Sequence, residues 1–477
     1  MNTKARPRLR ALTLTLTERC NLRCRYCYVP TERGRRMKSE VADAAVDLLL
    51  RSADGERASL FFFGGEPLLE GELMRRASAR AQAKAPEGLA VEVGVTTNGL
   101  LLRDEALELC RDTGMRIALS ADGDVGPAER LSAGGEDSTA QLYEGLPDIL
   151  TLEPGCHITA RMTVTPTNAG HLAANVQALA RAGLGRIVFL PAFELDWTDE
   201  AVALWAREHR RIGTWLRGVM GAGGRPPSLP GWQGIEARLA GGKPRRACGA
   251  GTRSAAVSTS GDIYPCYRFV FAEDADDYRL GDVVSGLTNE PALALMGSLQ
   301  PKHLRPEEGD CASCPSADGC TFFCPALGHW LLGDPLGVPA AACRLMRAQV
   351  EAIRPTAAVR RPRGARYVSR GGWLTAAALT GALATLGAAS CGSEVTADDD
   401  DDDSQGGVCP VQIDGGQDAA DDAPVGGVCP VEVDAGDGGS GGEGGLCPVE
   451  FDAGLGGSGG TGGSSSGSGG AGLGGIC

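Results

Sequence analysis

The sequence predicts an α/β fold built on a parallel sheet. Three observations lead there. The alternation Ala11-Leu12-Thr13-Leu14-Thr15-Leu16 reads as a strand. Further short apolar runs follow, spaced by stretches of helix length. The 477 residues, 43% of them hydrophobic, leave room for two or three domains with real cores. Strands alternating with helices are joined by crossovers, which make neighbouring strands parallel.

In chain order, the first helix is predicted at Ser39–Ala53, with Ser39 as a candidate cap. Ser59-Leu60-Phe61-Phe62-Phe63 reads as a buried strand. Val91–Val95, Met115–Leu119, Ile158–Val164 and Arg186–Leu190 supply the remaining strands. Helical stretches lie near Glu70–Lys84, Glu105–Thr113, Ala140–Leu152, Gly170–Ala182 and Asp199–Met220. Cys110 falls in an apolar helix and reads as core, and neither it nor Cys156 has metal-ligand spacing.

The chemistry starts in the loop after the first strand, Cys20-Asn21-Leu22-Arg23-Cys24-Arg25-Tyr26-Cys27. Three thiolates in so short a loop suit three irons of a cubane and leave the fourth iron open, whereas a structural zinc site wants four ligands. The spacing C-x3-C-x2-C, with Tyr26 before the third cysteine, resembles the signature of the radical S-adenosylmethionine (SAM) enzymes. That resemblance implies a partial (β/α)6 TIM-like barrel with ligands at the C-terminal strand ends. It also implies that the open iron chelates SAM, whose reductive cleavage gives a 5′-deoxyadenosyl radical. An electron donor such as flavodoxin or ferredoxin is implied as a partner.

Gly64-Gly65-Glu66-Pro67 ends the second strand and resembles the family segment that receives the SAM amino group. Glycines permit close backbone approach and a carboxylate suits an ammonium; a plain turn is the alternative. Asn98, in Thr96-Thr97-Asn98-Gly99, resembles a segment lining the same pocket. Ser120 is a candidate ribose or carboxylate contact, Arg130 or Arg161 a candidate partner for the SAM carboxylate, and Leu190 a candidate for adenine packing. Either arginine also reads as a plain surface charge.

A second cysteine field comprises Cys248, then Gly261 and Cys266, then Cys311-x2-Cys314-x5-Cys320-x3-Cys324, and Cys343. It resembles the seven-cysteine SPASM extension of peptide-modifying radical SAM enzymes, with one or two structural zinc sites as the alternative. The resemblance implies two auxiliary clusters, one on Cys311, Cys314, Cys320 and Cys343, the other on Cys248, Cys266 and Cys324. With the loop at Cys20 this makes three [4Fe–4S] clusters. Relatives that mature sulfatases carry an aspartate directly after the cysteine matching Cys266; here Tyr267-Arg268 follows. That points away from formylglycine formation and towards thioether-forming or other peptide-modifying members. No catalytic residue acting on the substrate is assigned.

The predicted organisation is a radical SAM core over 1–235, an auxiliary cluster domain over 240–350, a basic linker over 351–370, a membrane or lipoprotein-signal-like segment over 371–391, and a disordered tail over 392–477. The net charge of −14 is concentrated in that tail, which holds 17 acidic residues and no Lys or Arg. With Phe451 as its single aromatic residue the tail has little to bury. No basic face interleaved with aromatics suggests nucleic acid. Met1–Arg10 lacks an apolar segment, so no secretory signal is expected there. Arginines up to Arg370, the uncharged run to Ser390 and Cys391 predict a cytoplasmic catalytic part with membrane association through 371–391 and an exported tail. The alternative is a helical linker.

The tail repeats Gly-Gly-Val-Cys-Pro-Val around Cys409 and Cys429, varies it at Cys447 as Gly-Gly-Leu-Cys-Pro-Val, and stops at Cys477. The units are too short to stack as a solenoid, and their spacers suit flexible linkers. They read as substrate sites carried by the enzyme's own chain, with Asp414, Asp434 and Asp452 as candidate acceptors, or else as a lipoprotein spacer. A peptide or protein substrate in trans and a membrane-tethered iron–sulfur electron carrier are the other readings.

Overall fold

A computed structural model describes residues 8–53, 55–242, 248–272 and 274–357, all within one compact unit. The linker from 358 onward, the apolar run 371–391 and the tail 392–477 lie outside the described residues. Among the described residues no helix is long and apolar enough to cross a membrane.

Six strands, β1 Ala11–Thr17, β2 Arg57–Gly64, β3 Ala90–Thr97, β4 Arg116–Ser120, β5 His157–Val164 and β6 Ile187–Pro191, stand in sequence order and are all parallel. The crossovers are α1 Ser39–Ser52, α2 Gly71–Lys84, α3 Glu105–Thr113, α4 Thr139–Leu150 and α5 Leu172–Arg181, and α6 Asp199–Gly221 follows β6. This is the partial β/α barrel, and its elements start within a few residues of the predicted positions. Ser39 does not cap α1: Lys38 is the N-cap, and the Ser39 hydroxyl bonds the Glu40 carboxylate at 3.2 Å instead. Cys110 is fully buried, as an apolar helix position should be, and accepts the Cys156 thiol on its carbonyl at 3.1 Å.

Period-two alternation decides what each strand face does. Leu12, Leu14, Leu60, Phe62, Val93, Ile117 and Ile158 point into the apolar core, each under 5% exposed. The register puts Phe63, Ser120, Arg161 and Leu190 on the other, more open face. Parallel barrels collect their chemistry where such a face meets the C-terminal strand ends.

The sheet continues past the barrel. After α7 (Pro230–Leu239), β7 Ser254–Val257 pairs parallel with β1, and β8 Asp262–Tyr264, β9 Gly281–Asp282 and β10 Gly286–Leu287 extend it antiparallel. The helices α8 Tyr267–Phe271, α9 Glu290–Ser298, α10 Pro325–Leu332 and α11 Ala340–Ala357 complete this part. The hairpin carrying Cys266 is thereby anchored beside the strand that leads into the Cys20 loop.

α6 contains a cost the sequence does not reveal. His209 is fully buried edge-on to Trp205 at 4.3 Å, and neither ring nitrogen finds a partner among the described residues. Burial alone pushes its pKa down to about 3, so the folded state holds it neutral. The unfolded chain takes up a proton near pH 6.5, and stability present above that pH is lost as pH falls from 6.5 towards 3. The slope from this residue is about 1.4 kcal/mol per pH unit. Chemical denaturation of His209→Phe at pH 7 and pH 5 should show a smaller loss than the wild type.

Candidate functional site

Cys20, Cys24 and Cys27 lie in the loop leaving β1, partly exposed. The chain can turn there because β2 ends on two glycines pressed against it. Gly64 adopts φ +142°, and a Cβ on it would sit 2.1 Å from the Thr17 carbonyl oxygen. A Cβ on Gly65 would lie 2.2 Å from the Arg19 carbonyl oxygen. The Gly65 amide donates to Thr17 O and the Glu66 amide to Arg19 O, both at 2.8 Å. The close approach expected of these glycines is thus made to the cysteine loop's own backbone. Gly65→Ala should cost about 1–3 kcal/mol by overpacking. Gly71→Ala, where a Cβ meets nothing within 4 Å, should be near neutral. Thermal melts of the two variants check this.

Glu66 is wholly buried and accepts from the Leu68 amide at 3.0 Å, the Thr97 hydroxyl at 2.9 Å and the Asn98 amide at 2.8 Å. Burial raises its pKa, and these donors oppose the rise. A carboxylate offers about four acceptor positions, so three donors leave one. Asn98 reaches back to the cysteine loop, its Nδ2 donating to Asn21 Oδ1 at 2.7 Å. Glu66 and Asn98 therefore tie the ends of β2 and β3 to the loop.

Arg130 is buried and donates to the Tyr26 hydroxyl at 2.6 Å; that hydroxyl donates to Asp122 Oδ2, also at 2.6 Å. The guanidinium lowers the pKa of Cys24 and Cys20 against a burial cost that pushes Cys24 up to about 11. Tyr26 and Asp122 were not assigned from the sequence; the tyrosine before Cys27 was the available signal. Ser120 and Arg161 are register partners on adjacent strands, and Leu190, 49% exposed, lies on the same face, two register positions along from Arg161.

The second cysteine field separates into two groups. The Cys266 thiol, pushed up to about 12 by burial, interacts with Cys324 and Cys248. Cys343, pushed up to about 11, interacts with Cys311, Cys320 and Cys314. The second group lines a cavity of about 290 Å³. Among the described residues no three His, Cys, Asp or Glu side chains stand close enough to hold a single metal ion. All ten cysteines are free thiols, gathered as three, three and four, and soft thiolates in such sets fit iron–sulfur ligation.

An aromatic wall joins the Cys20 loop to the Cys266 helix. The Tyr267 ring packs on Phe63 at 4.6 Å, Tyr28 packs edge-on to Trp330 at 5.4 Å, and Arg268 stands 4.6 Å over Tyr28. Arg268 also pairs with Glu194 at 3.4 Å. None of these contacts was anticipated.

The fold is a parallel β/α barrel with three thiols in the loop after its first strand. Residues 14–146 match the radical SAM superfamily model, and the chain carries a radical SAM domain, which implies a [4Fe–4S] cluster and SAM. The serine-type anaerobic sulfatase-maturating enzyme of Klebsiella aerogenes is 34% identical over 111 residues, 22% of this chain and 27% of that protein. A GTP 3′,8-cyclase of Parasynechococcus marenigrum is 33% identical over 216 residues, 44% and 59% of the two chains. With 62% of an uncharacterized Methanocaldococcus jannaschii protein matched as well, the chain spans less than two thirds of each of these relatives. The solved structure of native anSMEcpe with bound AdoMet superimposes at TM-score 0.60 and 18% identity, covering 73% of this chain and 98% of that one. A second structure of that protein, with AdoMet and the Kp18Cys peptide, gives 0.59 at 18% identity over the same shares. At that identity the likeness establishes the fold.

Proposed function

We propose that the chain is a radical SAM enzyme that modifies residues of a peptide or protein. The observation that carries this reading is the attachment of two further thiol groups to the barrel, one beside β1 through β7 and β8, the other through α11, which packs against α6. A likeness in fold to a protein solved with AdoMet and a peptide supports it.

In this reading Cys20, Cys24 and Cys27 hold the cluster that binds SAM. The Gly64–Pro67 segment with Glu66 receives the SAM ammonium, Ser120 with Arg130 or Arg161 its carboxylate and ribose, and Leu190 its adenine. Cys248, Cys266 and Cys324 hold a second cluster, and Cys311, Cys314, Cys320 and Cys343 a third. When bound, the first cluster supplies the electron that cleaves SAM to methionine and a hydrogen-abstracting 5′-deoxyadenosyl radical. The protein's part is to hold the thiols together, to offset their charge with Arg130, and to shield the pocket with the wall around Phe63 and Tyr267.

The finer reading makes the chain's own Cys409, Cys429, Cys447 and Cys477 the substrate thiols, closed into thioethers. These residues lie outside those described, and the reading rests on their repeated setting. A flexible tether would keep the repeats at an effective concentration of about 1 mM. Reconstituted protein given a reductant and SAM without air should form 5′-deoxyadenosine and leave tail peptides lighter by two hydrogens per link. Intact clusters with unaltered tail peptides would overturn the tail reading, and a chain shortened before Gly392 that still modified a separate peptide would favour action in trans. Absence of 5′-deoxyadenosine would leave an electron carrier. The GTP 3′,8-cyclase match favours one second reading, a nucleotide substrate; consumption of GTP instead of peptide would establish it.

A further inference from the structure

The Cys343 group contains a cation that no ligand pattern assigns. Cys343 and Arg347 are four residues apart on α11, so they share a helix face. Arg347 lines the same cavity as Cys311, Cys314, Cys320 and Cys343. The charges of Cys314, Cys343 and Glu308 all favour its cationic form. Its Nε is buried without a partner among the described residues, a donor still seeking an acceptor. Such an orphan is costly unless something in the cavity accepts it.

We propose that Arg347 is a positioning residue that sets the reduction potential of the [4Fe–4S] cluster held by Cys311, Cys314, Cys320 and Cys343. The proposal rests on the reading that those four thiols hold a cluster. A cubane bound by four thiolates gains one negative charge when it accepts one electron. A guanidinium donating to its sulfurs stabilises the reduced form more than the oxidised form, and the potential rises. Arg238 and Lys302 line the same cavity as further cations, with Glu308 and Asp310 opposing them. Arg347 differs from the other two cations in sharing a helix face with Cys343 and in its buried, unpartnered Nε.

The test is a redox titration of the reconstituted full-length protein, followed by electron paramagnetic resonance, for wild type, Arg347→Gln and Arg347→Lys. Loss of a signal in Cys311→Ser identifies the cluster concerned. Arg347→Gln should keep its iron and move that signal alone to lower potential by about tenfold in the reduction equilibrium, which is about 59 mV for one electron. Arg347→Lys, which keeps the charge and loses the planar fork, should fall between. Unchanged potentials with full iron would overturn the proposal. Loss of the cluster's iron in Arg347→Gln and Arg347→Lys alike would also overturn it, by making the residue a structural support. If Cys311→Ser keeps its full iron and all its signals, the four-thiol reading itself fails, and the proposal with it.

Discussion

Replacing Cys20, Cys24 and Cys27 together with alanine removes about four irons per chain and abolishes SAM cleavage. The effect is all or nothing because the loop is the part of the barrel that offers three thiols at a strand end, the arrangement that leaves one iron for SAM. The two other thiol groups are held by separate segments, at Cys248, between β8 and α8, on the chain from Cys311 to Cys324 and on α11. They should keep their metal in the triple variant. Iron and 5′-deoxyadenosine are measured on the same anaerobic preparation. Cleavage persisting in that variant would show that SAM is activated elsewhere.

Arg130→Met destabilises the fold by about 3 kcal/mol and weakens cluster uptake at the Cys20 loop. Removing one member of a buried charged network leaves the others uncompensated. Tyr26 would lose its donor, and Asp122, already pushed up by burial, would lose its main opposing cation. The value is set at the low end of the usual range because Asp122 is only half-buried. Cys24 would also lose the cation that lowers its pKa most, so its thiolate would form less readily when metal arrives. Arg130→Lys keeps the charge and should recover much of the uptake but less of the stability, since a lysine cannot repeat the guanidinium geometry. Denaturant melts of the apoprotein and iron titration separate the two effects. An Arg130→Met protein as stable as wild type would mean the network carries no energy.

The strands and helices of the barrel were legible because their signals are local. Alternation along Ala11–Leu16 and the apolar run at Phe61–Phe63 mark strands in a handful of adjacent residues. Cysteine spacing is equally local, and it marked the three-thiol loop and the second cysteine field, while the division of that field into two sets came from the resemblance. The helix cap at Ser39 was misjudged for a local reason too: Ser39 and Lys38 differ by one position, and helix ends shift easily by that much.

What only the tertiary structure decided are contacts between distant residues. Tyr26 meets Asp122 across 96 positions and Arg130 across 104, and no periodicity records such a pairing. The two glycines at 64 and 65 signal close approach in sequence, but not to what, and the fold answers with the backbone of Thr17 and Arg19. The pairing of β7 with β1 is likewise silent in sequence, because a parallel edge accepts any strand of suitable length and polarity. Sequence by itself marked the thiol-rich segments, since thiol number and spacing are covalent facts. The fold determined which charges, donors and rings surround them, since burial and hydrogen bonding exist only once distant segments pack.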